Sequence, residues 1–355
     1  MSEYYTSMHS FLNRFDTLSR QHGFKAETIE DYHIWKIALR AKLRRLIGLD
    51  RLGGCDPNPE LVESVEKDGY RREKLLIYTE DDVIMPVFVL IPNNKSLASD
   101  DGRLPVMVAP HGHGFGGMHS VAGLSEIPEV AARIEACNCD YGLQLVREGF
   151  IVFCPSARGF GERRESESQG ADKFIQSSCA QLNKMAMPLG ITVTGMWTHD
   201  LMMMLDYVKT REDCDSGRIG CAGLSGGGLQ TLWLAALDDR IRCAVVSGYF
   251  YGVKDSLLVL SGNCSCNYVA GLWEKVDMGD IGALVAPRPM LVETGSRDNL
   301  NGRRGVVNVS EQLDIARSAY ALFGSEKHVR HDVFDGEHMW HGKEALPFLL
   351  SCLGG

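Results

Sequence analysis

From residue 141 onward the chain alternates short apolar runs with helix-forming stretches, and this alternation narrows the possible architecture more than any other feature. Helix Tyr141 to Arg147 precedes strand Phe150 to Cys154, helix Trp197 to Thr210 precedes strand Arg218 to Ala222, and helix Gly227 to Leu237 precedes strand Cys243 to Ser247. Strand Pro289 to Thr294, helix Val309 to Leu322 and strand Val329 to Phe334 extend the series. Strands joined through a helix run parallel, and a parallel sheet needs both of its faces covered. Upstream, Lys74 to Thr79, Val83 to Ile91 and Val106 to Ala109 read as strands, with a turn cluster at Asn93 to Arg103. Antiparallel strands followed by helix-linked strands predict an α/β fold with a mostly parallel, doubly wound sheet.

Ahead of this lies a region of different texture. Residues 1–65 read as an N-terminal helical extension and 66–355 as the main domain. Ile34, Ile37, Ala38 and Ala41, then Leu43, Leu46 and Ile47, predict one apolar helix face, stopped by Gly48 and the Gly53, Gly54, Pro57 and Pro59 cluster. That face would pack on the main domain or on a second copy, so a homo-oligomer through the extension is an expectation. No apolar run approaches the roughly 18 residues of a bilayer span, and the first thirty residues lack the apolar core of a secretion signal. A net charge of −9 disfavours nucleic acid and anionic membranes as partners. A cytoplasmic location is expected.

Eleven cysteines are scattered and mostly flanked by apolar residues, as in Val152-Phe153-Cys154. They read as reduced core thiols. Cys137-Asn138-Cys139 and Cys264-Ser265-Cys266 each lack the second spaced pair of a zinc site, so neither metal nor cofactor is expected.

Between strand Arg218 to Ala222 and the following helix stands Gly223-Leu224-Ser225-Gly226-Gly227. A serine on a sharp strand-to-helix turn exposes its hydroxyl at the carboxyl edge of the sheet, the form of a nucleophile elbow. Serine is a poor nucleophile at neutral pH, so it needs a histidine to take its proton and an acid to orient that imidazole. Asp298 follows the carboxyl end of strand Pro289 to Thr294, whereas Asp277 and Asp280 precede it and would cap a helix or face the wrong side. After the last strand, which carries His328 and His331, the Asp335-Gly336-Glu337 turn delivers His338. His341 would fall in the first turn of the closing helix. The predicted triad is Ser225, Asp298 and His338.

Acyl transfer also needs donors for the tetrahedral oxyanion. The N–H of Gly226 is one candidate, and the N–H of His113 is the second, with Gly114 as its alternative, on the His111-Gly112-His113-Gly114-Phe115-Gly116-Gly117 loop. His111-x-His113 also has the form of half a metal site. Two long connections, Ala157 to Gly195 and Gly248 to Pro287, leave carboxyl ends of strands and should wall the pocket. They bring Trp197, Tyr249, Phe250, Tyr251, Tyr268 and Trp273 near it. Arg158 and Arg163 either hold a substrate carboxylate or form internal ion pairs.

With these residues assembled, the chain resembles the α/β-hydrolase superfamily, and within it the acetyl xylan esterase-like branch that includes cephalosporin-C deacetylases. The resemblance runs from about Trp35 to the end. It rests on His111 to Gly114, Arg158-Gly159-Phe160-Gly161-Glu162-Arg163, Gly223 to Gly227, the Asp280 to Pro289 segment, Asp298 and Gly336-Glu337-His338. It implies an α/β-hydrolase fold and removal of short acyl groups, often acetyl, from sugars or other small alcohols. Many deacetylases of that branch carry an aromatic residue where His113 stands and glutamine where Gly226 stands. A peptidase or amidase, a metal-dependent hydrolase on the glycine-histidine loop and a non-catalytic binding protein are the other readings.

Overall fold

The computed structural model describes residues 5–165, 172–260 and 262–354. Nine strands form one sheet: β1 (Glu60–Lys67), β2 (Tyr70–Glu80), β3 (Val83–Pro92), β4 (Leu104–Val108), β5 (Ile151–Pro155), β6 (Cys214–Leu224), β7 (Ile241–Ser247), β8 (Met290–Gly295) and β9 (Val329–Phe334). Their spatial order is β1-β2-β3-β5-β4-β6-β7-β8-β9. The β1-β2, β2-β3 and β3-β5 pairings are antiparallel; every pairing from β5 to β9 is parallel.

Neighbouring residues of the central strands enter opposite cores. Val106, Val108, Ile151, Phe153, Ile219, Cys221, Ala244 and Val246 belong to one apolar cluster. Met107, Val152, Cys154, Ala222, Cys243 and Val245 belong to the other. Side chains alternate faces along a strand, so these short runs are apolar throughout because both faces are covered. Helices Val193–Val208, Gly226–Leu237 and Val306–Ala321 cover the first face, and Tyr141–Arg147 and Ala345–Leu353 cover the second.

The N-terminal region departs from expectation in two ways. Helices Met8–Leu18 and Ile29–Leu46 are present, but the helical reading to residue 65 fails because Glu60–Lys67 is an edge strand paired with β2. Its charged, mostly exposed sequence carries no apolar alternation to signal it. Within Ile29–Leu46 the buried stripe is Tyr32, Leu39 and Leu43, continuing to Ile47, whereas Ile34, Ile37, Ala38 and Ala41 face solvent. The aromatic anchor decides the rotation: Tyr32 is fully buried and its hydroxyl donates to the carbonyls of Ala283 and Ala286. Arg20 binds both oxygens of buried Asp280 at 2.8 Å, and the Phe24 N–H donates to the same carboxylate. Asp277 and Asp280 form a reciprocal capping box on helix Met278–Ala283. No described helix is long and apolar enough to cross a membrane.

Candidate active site

β6 ends at Leu224 and the next helix starts at Gly226, which isolates Ser225 in the turn with φ 62° and ψ −119°. A non-glycine residue held there stores roughly 1–3 kcal/mol of strain. Its N–H donates to the Ser247 carbonyl at 2.8 Å, tying the strained residue to β7.

Asp298 lies just past β8 and is nearly buried. Its Oδ1 accepts from the Leu300 N–H at 2.8 Å, and its Oδ2 lies 2.6 Å from His338 Nδ1. A buried carboxylate needs such partners. With Nδ1–H donating to Asp298, the His338 tautomer leaves Nε2 free to accept a proton.

His338 is delivered by the turn after β9, and two neighbours fix that turn. Trp340 is fully buried against Tyr141, with ring centroids 4.8 Å apart, and its indole N–H donates to Gln144 at 3.2 Å. Glu293, in the middle of β8, accepts from the Gly342 N–H at 2.8 Å. Burial pushes the Glu293 carboxyl up to about 7. Sequence reasoning passed over both residues, although a glutamate inside an apolar strand is itself a signal. His341 precedes the closing helix rather than opening it, and its Nδ1 lies 2.6 Å from Asp332. His328 sits in a short turn before β9, and His331 contacts Thr294 at 3.0 Å.

The loop after β4 reaches over the elbow. A Cβ on Gly112 would come within 2.7 Å of the Leu224 carbonyl oxygen, so only glycine permits this approach. Gly226 is bare for a related reason: a Cβ there would stand 2.6 Å from His113 Nδ1. His111 is buried and neutral, since burial lowers its pKa to about 4. Its Nδ1 bonds the Gly112 carbonyl at 2.9 Å and its Nε2 accepts from the Ala157 N–H at 3.1 Å. Both ring nitrogens are thus engaged by backbone, so His111 and His113 do not make a metal-ligand pair.

Ser225, Gly226, His113 and His338 line one cavity of ≈ 240 Å³ with Phe115, Tyr249, Tyr251, Leu300 and the amides of Asn263 and Asn267. No hydrogen bond joins Ser225 Oγ to His338 among the described residues; such contacts are often long in unliganded sites. Phe115 packs on the His338 ring at 5.8 Å. Of the other aromatic candidates, Trp197 is buried beside His113, Phe250 lies in the core, and Tyr268 packs on Trp273 away from the cavity.

Arg158 and Arg163 resolve as internal ion pairs. Arg158 reaches Asp200 at 2.6 Å and Glu80 at 2.7 Å, and Arg163 reaches Asp200 at 2.8 Å. Burial opposes the Asp200 charge, but the two guanidiniums outweigh it and hold the carboxyl below its ordinary range. The network clamps the start of the Ala157 to Gly195 connection, part of which, residues 166–171, lies outside the described residues.

Residues 5–332 match the model of the Abhydrolase family. YtaP of Bacillus subtilis (strain 168), which is named provisionally as a hydrolase, is 29% identical over 282 residues, 77% of this chain and 85% of its own. A Bacteroides fragilis NCTC 9343 structure, named provisionally as an acetyl xylan esterase, superposes with a TM-score of 0.74 at 20% identity, covering 94% of this chain and 83% of that one. A CE15 glucuronoyl esterase from Teredinibacter turnerae T7901 gives 0.66 at 17% identity, covering 94% and 88%. At these identities the structural likeness establishes the fold.

Proposed function

The chain belongs to the Abhydrolase family, and on that premise we propose that it is a serine hydrolase of carboxylic esters working through Ser225, His338 and Asp298. The observation that carries this reading is the 2.6 Å contact of His338 Nδ1 with Asp298 beside the cavity that Ser225 enters. His338 Nε2 takes the Ser225 proton as Oγ attacks the ester carbonyl, and the oxyanion rests on the N–H groups of Gly226 and His113. Collapse of the tetrahedral intermediate expels the alcohol, which takes its proton from His338. Water then attacks the acyl-enzyme with His338 again as base, freeing the acid and Ser225. Asp298 stabilises the imidazolium in both halves.

The substrate reading is a short-acyl ester, acetyl in type, of a sugar or another small alcohol. The cavity is below the roughly 300–1,000 Å³ of pockets for drug-sized ligands, and Asn263 brings a polar side chain to its wall. The name of the Bacteroides structure supports an ester of this kind. Ser225→Ala should cut turnover of a short aryl ester by roughly 10³- to 10⁶-fold, and an organophosphonate should label Ser225 alone. Undiminished turnover in the folded variant sinks the assignment. Matched ester and amide substrates test the peptidase reading, which predicts comparable rates for both.

A further inference from the structure

Behind the proposed oxyanion loop, three thiols converge on one imidazole. His113 Nε2 lies 3.5 Å from Cys266 Sγ and 3.8 Å from Cys179 Sγ. His113, Cys264 and Cys266 each offer a ligand atom, and these atoms lie within 4.8 Å of one another. Cys179 stands outside that group and is tied to it through its contact with His113. Cys179 and Cys266 are almost fully buried. A tetrahedral zinc with bonds of about 2.3 Å to sulfur and 2.0–2.1 Å to nitrogen sets its N···S pairs about 3.5 Å apart. The His113 to Cys266 spacing already has that value, and the His113 to Cys179 spacing is slightly longer.

We propose that His113, Cys179, Cys264 and Cys266 form a closed zinc site that pins together the three loops walling the cavity. Thiolate-rich tetrahedral sets select Zn²⁺ over harder divalent ions. Four protein ligands leave no position for a reactive water, so the ion is structural and takes no part in bond cleavage. His113 binds through Nε2 while its backbone N–H stays free for the oxyanion. Asn267 supplies outer support: its Nδ2 donates to Cys266 Sγ at 3.6 Å and to the Cys264 carbonyl at 3.0 Å. Bare Gly226 completes the set, because a Cβ there would push His113 off its ligand position. The ligands come from the connections after β4, β5 and β7, so one ion would cross-link segments far apart in the chain.

The test reads metal and is independent of esterase activity. Untagged full-length protein, produced with zinc in the medium and desalted, should carry one zinc per chain, released by a mercurial reagent and counted with a metallochromic dye. Cobalt exchanged into the same protein should give tetrahedral ligand-field bands and thiolate-to-cobalt charge transfer. Cys179→Ser and Cys264→Ser should lower zinc content, Asn267→Ala should weaken binding by roughly 10- to 100-fold, and Cys55→Ser, remote from the cluster, should change nothing. The proposal is overturned if the wild type holds no more zinc than a Cys264→Ser/Cys266→Ser double variant. If that variant does not fold, a cobalt spectrum without thiolate charge transfer overturns it instead, as does a disulfide between any two of the three cysteines.

Discussion

At the scale of single residues, the site is built from substitutions that make sense only in pairs. His113 and Gly226 are the two positions where the chain differs from many deacetylases of the branch it resembles, and they touch: the imidazole occupies the space a side chain at 226 would need. Gly226→Ala should therefore lower stability by about 1–3 kcal/mol through overpacking and reduce kcat, and adding His113→Ala should recover part of the stability loss. Urea denaturation of the two single variants and the double variant measures this coupling, expected at about 0.5–3 kcal/mol; strict additivity would contradict the packing. Asp298→Asn keeps the size of the side chain but changes which His338 tautomer it favours, so kcat should fall by roughly 10⁴-fold with little change in KM.

At the scale of elements, the turn after β9 is held by residues that never meet the substrate. Trp340→Ala empties a fully buried site and should cost about 3–5 kcal/mol, with esterase activity lost before global unfolding as His338 slackens. Glu293 adds a pH signature. Its folded pKa of about 7 lies above the ordinary 4.5, so between those values the folded state keeps a proton that the unfolded chain releases. Stability from this group is present at low pH and lost as pH rises through 7. Glu293→Gln retains an acceptor for the Gly342 N–H and removes the titration. The variant should gain on the wild type by about 3 kcal/mol across that window, read from denaturation midpoints at the two ends; parallel pH curves would refute it.

The elements that build this turn were also the ones most legible in the amino-acid order. Ser225, Asp298 and His338 each follow an apolar run, and such runs end at one sheet edge whatever the side chains around them do. β1 was not legible, because an exposed edge strand rich in Glu and Lys has no buried face to impose alternation. The buried face of Ile29–Leu46 was misjudged because isoleucine hydrophobicity competes with Tyr32, whose hydroxyl bonds settle the rotation. The cysteine cluster was invisible for another reason: with His113 its members lie on three separate loops, and only the folded sheet brings them together.

At the scale of the whole molecule, buried charge links the periphery to the cavity walls. Asp200 faces two guanidiniums, so Asp200→Ala leaves both without their shared partner and should destabilise by roughly 3–5 kcal/mol. Replacing the cluster with apolar residues of similar volume should cost less; both are measurable by thermal unfolding. The N-terminal segment is tied to helix Met278–Ala283 through Arg20 and Asp280. β9 closes the parallel edge of the sheet and is the last strand in sequence. During synthesis Ser225 therefore leaves the ribosome about 110 residues ahead of His338. At about 5–20 residues per second, the nascent chain carries Ser225 without His338 for roughly 6–23 s, so the pair can form only after the last strand has emerged.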